Sequence, residues 1–117
     1  AREVSLVALA DAGHWASAAR AVNPSAVDRA VIDVHGFRFG NLSTVWHADF
    51  QPGAVKYGDI TGLLTLGAPG QLMLADPDPQ LRDRVTKTYQ AAGKSNALKV
   101  SETFSTDGAD WISFLLQ

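Results

Sequence analysis

Short apolar runs alternate with helical periods along the whole chain. Residues 4–9 (VSLVAL) form a run of strand length, followed by Gly13 and an alanine-rich segment over residues 14–22. Trp15, Ala18, Ala19 and Val22 fall at i, i+3, i+4 and i+7, one stripe of a helix. The alanines opposite predict close packing on both sides, and Asn23-Pro24 ends the helix. Residues 29–34 (RAVIDV) read as a second strand, dense enough in β-branched side chains to be buried on both faces. Residues 35–57 follow as a long irregular stretch rich in glycine, aromatic and polar side chains, which in a compact domain is usually a functional excursion or a mobile segment. Asp59 is placed to cap a short helix that runs to Leu66 and is closed by Gly67 and Pro69.

Residues 71–75 (QLMLA) predict a third strand. Asp78 and Pro79 then open an amphipathic helix, the acid as N-cap and the proline at the first helical position. Leu81, Val85, Tyr89 and Ala92 mark its apolar face, and Gly93 ends it. Residues 97–103 give a fourth strand, and Trp111, Phe114 and Leu115 mark a last helix. Strand and helix alternating four times predict an α/β fold in three layers, a four-stranded, mostly parallel sheet with helices on both faces. No internal repeat or linker interrupts it, so residues 1–117 read as one domain.

Composition narrows the function classes. With 10 basic against 12 acidic side chains and a net charge of −2, the chain lacks the basic surplus that nucleic acid or an anionic membrane demands. At 46% hydrophobic and 19% charged, 117 residues can bury a core. The absence of cysteine removes disulfides, thiolate metal sites and cysteine nucleophiles together. The longest uncharged stretch, residues 60–75, is broken by Gly67, Pro69 and Gly70 and is too short to span a bilayer. The chain begins at Ala1 without a methionine and reads as an excised or processed segment.

The order strand, tight turn, alanine-rich helix, strand, excursion, helix, strand, acidic loop, helix, strand, helix resembles the C-terminal half of the α/β-hydrolase fold. Leu6-Val7-Ala8-Leu9-Ala10-Asp11-Ala12-Gly13 stands where that family has its nucleophile elbow. Asp33-Val34-His35-Gly36-Phe37-Arg38-Phe39, Pro52-Gly53-Ala54-Val55-Lys56-Tyr57-Gly58-Asp59 and Ala68-Pro69 resemble segments of bacterial acetyl xylan esterase-like (dienelactone hydrolase-like) members. The resemblance covers nearly the whole chain. It implies half of a fold, since the family places four further strands and one oxyanion-hole amide ahead of the elbow. It also implies an uncovered edge on the first strand, to be paired with a second copy in a homodimer or with a complementary half-domain. The implied activity is hydrolysis of small carboxylic esters by a soluble protein without cofactor; the compartment stays open, an exported bacterial protein being one source.

The elbow pattern G-x-S-x-G here reads Leu9-Ala10-Asp11-Ala12-Gly13, which keeps the closing glycine and sets Asp11 at the nucleophile position. An aspartate there is similar to the dehalogenase and epoxide hydrolase branches, where a carboxylate attacks carbon. The other reading of Asp11 is a helix N-cap. Asp76, in the loop after the third strand, is the candidate orienting acid or a solvated carboxylate. No histidine follows the fourth strand, where the family keeps its base, and Asp107 would need its pKa raised by several units to serve.

Three histidines lie elsewhere. His14, one turn beyond Asp11, reads as a base or as an ordinary surface residue of the first helical turn. His35 follows the second strand on the edge where open α/β sheets gather ligands. His47 and Asp49 join His35 as potential ligands, but their spacing matches no metal signature, so no metal is assigned. Phe37, Trp46 and Tyr57, with Phe39 and Phe50, line either a substrate pocket or an interface. Arg38 and Lys56 either anchor an anion or are solvated. Two further classes compete with the esterase: a non-catalytic α/β-hydrolase remnant acting as an interaction or assembly module, and a Rossmann-like nucleotide binder. The lack of G-x-G-x-x-G or a P-loop counts against the last.

Overall fold

The computed structural model describes residues 2–68, 70–75, 77–102 and 108–117. Four strands, β1 (Ser5–Ala8), β2 (Arg29–Asp33), β3 (Gln71–Ala75) and β4 (Leu98–Ser101), lie in the order β1-β2-β3-β4, every neighbouring pair parallel. Four helices connect or follow them: α1 (Gly13–Val22), α2 (Asp59–Leu66), α3 (Pro79–Ala91) and α4 (Ala109–Leu115). The α/β alternation therefore folds as the sequence predicts. The central strands β2 and β3 are buried nearly throughout, whereas β1 and β4 are only partly covered.

Side-chain alternation assigns the layers. Ala30, Ile32, Leu72 and Leu74 point to the face where Ala16 of α1, Ile60 and Leu64 of α2, and Leu81, Val85 and Tyr89 of α3 complete the main core. Val31 and Met73 point the other way and meet Phe114, Trp111 and Leu115 of α4. Three helices cover one face and the last covers the other. Strands in sequence order with connecting helices on one face are what a uniform right-handed crossover sense generates. No helix among the described residues is long and apolar enough to cross a membrane.

The face that α1 buries differs from the expected stripe. Gly13, His14, Ala16, Ser17 and Arg20 are buried, while Trp15, Ala19 and Val22 are exposed. Two contacts impose that rotation. At the top of α1, a Cβ on Gly13 would stand 2.0 Å from the carbonyl oxygen of Asp33, so only glycine lets the helix start against the end of β2. At its foot Arg20, 1% exposed, donates from Nη2 to the Gly70 carbonyl at 2.8 Å and to the Tyr89 hydroxyl at 2.9 Å. The guanidinium fills the space where a Cβ on Gly67 would lie 2.2 Å from Nη1. Gly67 ends α2 with right-handed dihedrals, so this glycine is needed for room and not for a left-handed cap.

Caps show a similar mixture. Asp78 caps α3 as expected, its Oδ1 accepting from Leu81 N at 2.9 Å. Asp11 does not cap α1: a 3-10 turn over Ala10–Ala12 runs straight into the helix, and Ala12, already helical, takes the cap position without a side-chain bond. Asp59 is the first residue of α2 and not its cap, a place held by Gly58 at φ 99°. The fourth strand ends at Ser101, and Asp76, Thr103 and Asp107 lie outside the described residues.

Removing one partner of a buried charged hydrogen bond leaves the other unsatisfied, which makes Arg20 the test of this packing. Arg20→Ala should cost about 3–5 kcal/mol in urea unfolding, and Tyr89→Phe about 1–3 kcal/mol. Because both variants disturb one network, the double variant should lose much less than the sum of the two.

Candidate functional site at the end of the sheet

The excursion after β2 begins with a sharp turn. His35 (φ 51°) and Gly36 (φ 69°) are both left-handed, and Phe37 N returns to the Val34 carbonyl at 2.9 Å. The Asp33 carboxylate steadies the turn by accepting from His35 N at 2.9 Å. This brings Phe37 and Phe39 against His14 at the start of α1.

There His14 and Phe37 stack with ring centroids 3.9 Å apart and planes 13° from parallel, and Phe39 meets Phe37 edge-on at 4.9 Å. Asp59 fixes the same segment from the other side. Its carboxylate accepts from Phe39 N and Gly40 N, each at 2.8 Å, and from Ile60 N at 2.7 Å. A carboxylate at the start of a helix is also favoured by the helix dipole.

Asp49 then returns across the top of α1. His14 Nε2 lies 3.0 Å from Asp49 Oδ1, and His47 Nδ1 lies 3.8 Å from Oδ2 while accepting from Asp49 N at 3.1 Å. His14 is only 4% exposed, which corrects the expectation of an ordinary surface residue. Both its ring nitrogens are sealed from water and neither makes an aligned hydrogen bond among the described residues. Beside this pair opens a cleft of about 240 Å³ lined by His14, Trp15, Ala18, Phe39, Asp49, Phe50 and Gln51.

The other candidates are dispersed. Asp11 is exposed on the 3-10 turn, His35 is exposed on its own turn, and neither lines this cleft. Phe37 lies beneath His14, Trp46 is 90% exposed, and Tyr57 lines a separate cavity of about 260 Å³ with Leu63 and Leu66. Arg38, partly exposed, is engaged with the Asp78 carboxylate, so it is paired and not free to anchor an anion. Lys56 rests over the ring of Tyr57, 5.5 Å from its centroid. No group of three metal-ligating side chains is assembled among the described residues.

The juxtaposition that sequence reasoning missed is His14 with Asp49. They are far apart in the chain and belong to no local motif; only the close spacing of His47 and Asp49 was visible. The chemistry available is that of a carboxylate beside an imidazole over an aromatic floor. Among the described residues the strand order does not reverse, and reversal points are where open α/β folds usually bind ligands. The loop builds its own cleft instead. Comparisons with protein-family models, with curated proteins and with solved structures find no match to this chain.

Asp59 is the side chain that ties this loop down. Asp59→Ala should cost about 2 kcal/mol or more, since three amides lose a charged acceptor. Hydrogen exchange should speed up at Phe39, Gly40 and Ile60 while the amides of β2 and β3 keep their protection relative to global unfolding.

Proposed function

We propose that this chain is an α/β-hydrolase-type half-domain that retains the scaffold of an ester-cleaving enzyme without its chemistry, and that it works as an assembly module. The observation that carries this reading is the turn between β1 and α1. A nucleophile elbow presents its nucleophile from the strained residue between strand and helix. Here that residue is Ala10, at φ 53°, with Gly13 packed tightly against β2 behind it. A methyl group occupies the reactive position, and Asp11 follows on the exposed 3-10 turn.

Support for the half-domain comes from the four parallel strands in sequence order, with three helices on one face and the fourth on the other. Support for assembly comes from β1, which pairs only with β2 among the described residues and carries half-buried Leu6 and Val7 between exposed Val4 and Leu9. Unpaired strand edges associate unless they are blocked. A second copy pairing along β1 about a two-fold axis is the simplest closure, and a complementary half-domain is the alternative.

The His14–Asp49 pair beside an aromatic cleft favours a second reading, residual hydrolysis of small esters. In it His14 or His35 is the base, Asp11 the nucleophile or orienting acid, and Asp76 a further orienting acid. The sealed ring nitrogens of His14 weigh against it, because a general base must reach the proton it removes.

Turnover of p-nitrophenyl acetate by the purified chain should equal the background rate and stay unchanged in Asp11→Asn, His14→Ala and His35→Ala. A rate above background that drops about tenfold or more in any of these variants would establish the enzymatic reading instead. Light scattering at micromolar concentration should give twice the subunit mass; a single-subunit mass would remove the self-assembly part.

A further inference from the structure

The cleft over the start of α1 carries one carboxylate and no lysine or arginine among its lining residues. Its surroundings differ from those of its neighbour. Asp59, at the adjoining cavity, has its oxygens occupied by three backbone N–H groups. Asp49 accepts no aligned hydrogen bond among the described residues, and its polar neighbours are the imidazoles of His14 and His47. The Asp49 carboxylate stands at a cleft lined also by Trp15, Phe39 and Phe50.

Aromatic faces attract cations through the ring quadrupole, tryptophan most strongly. They cannot replace the hydration shell of a small metal ion, and no cluster of three metal ligands accompanies Asp49 among the described residues. A weakly hydrated organic cation matches both halves of the site, with methyl or methylene groups against the rings and its charge near the carboxylate. The cleft, at about 240 Å³, lies below the range of about 300–1,000 Å³ typical for drug-sized ligands, so it suits a head group and not a long chain.

We propose that this cleft binds a small organic ammonium ion, with Trp15 and Phe50 as the aromatic walls and Asp49 as the counter-charge. The site does not depend on the assembly reading. Trp15 is 57% exposed on a helix whose opposite face is buried, so its ring stands available to a ligand at no cost to the core.

The test uses the isotope-labelled chain at pH 7.5 and constant ionic strength, titrated with choline chloride and, separately, with its uncharged isostere 3,3-dimethylbutan-1-ol. Choline should produce saturable shifts at the Trp15 indole and at the amides of Asp49 and Gln51, with a dissociation constant of about 1–10 mM. The isostere should bind about tenfold more weakly. Asp49→Asn should reduce choline to the level of the isostere. Trp15→Ala, which removes an exposed ring and leaves the fold intact, should weaken choline about fivefold. Equal affinity for the two probes, choline shifts undiminished by either substitution, or shifts that grow linearly and spread over the surface would each overturn the proposal.

Discussion

Arg20 enters the interior at the foot of α1, and the arrangement of the main helical layer follows from where its guanidinium ends. It lies among the end of α2, the start of β3 and the side chain of Tyr89 on α3, and so touches every helix of that layer as well as the sheet. Removing a guanidinium from water is expensive, and the expense is tolerable only where oxygens replace the lost solvent. Gly70 contributes a carbonyl and Tyr89 a hydroxyl, which itself donates to the same carbonyl at 2.5 Å. Gly67, at the C-terminus of α2, contributes room beside a helix end that favours positive charge. An aliphatic side chain at position 20 would tolerate many rotations of α1. A charge with fixed partners tolerates one.

That single rotation decides what stands at the other end of the helix. With Arg20 held below and Gly13 pressed against the Asp33 carbonyl above, His14 must face inward and Trp15 outward. Phe37 then has a flat ring to stack on, and the loop after β2 acquires a path across the top of the sheet. Asp59 completes the path from α2 by holding Phe39 and Gly40. The cleft is therefore a consequence of two anchors at opposite ends of one helix and a third at the start of the next. None of the three is itself a member of a conventional catalytic set.

The elements were legible because their signals are local. The short apolar runs of β1 to β4, the Asp78-Pro79 start of α3 and the period of Leu81, Val85 and Tyr89 each involve neighbours a few residues apart. The buried face of α1 was not legible, because in an alanine-rich helix apolar periodicity carries little contrast and the choice fell to one arginine and one glycine. Charged residues are ordinarily found at the surface, so nothing in the sequence marks Arg20 as the residue that enters the interior. The His14–Asp49 contact was hidden for a different reason. It depends on how a long irregular loop returns, and no period or cap encodes that return. Asp59 could be seen as a helix-start acid, but its partners at residues 39 and 40 could not.

The turn before α1 is set by packing on both sides of it. A left-handed backbone at a residue with a side chain is unfavourable by about 1–3 kcal/mol, and it persists only when the surroundings dictate it. At Ala10 they do so from both sides, since β1 must end in register with β2 and Gly13 must begin the helix hard against the same strand. Strain of this kind is normally retained where it aims a reactive group. Ala10 has none to aim, so here the strain is a condition of joining β1 to α1 at this distance. A serine at the same place would experience the same backbone, yet its hydroxyl would still lack an open base, because the nearest histidine along the chain, His14, is stacked on Phe37 with its ring nitrogens closed to solvent. Opening His14 to a ligand would take a rearrangement of the loop that covers it, a loop Asp59 holds through Phe39 and Gly40. The contacts that organise this domain and the contacts a hydrolase would need compete for the same side chain.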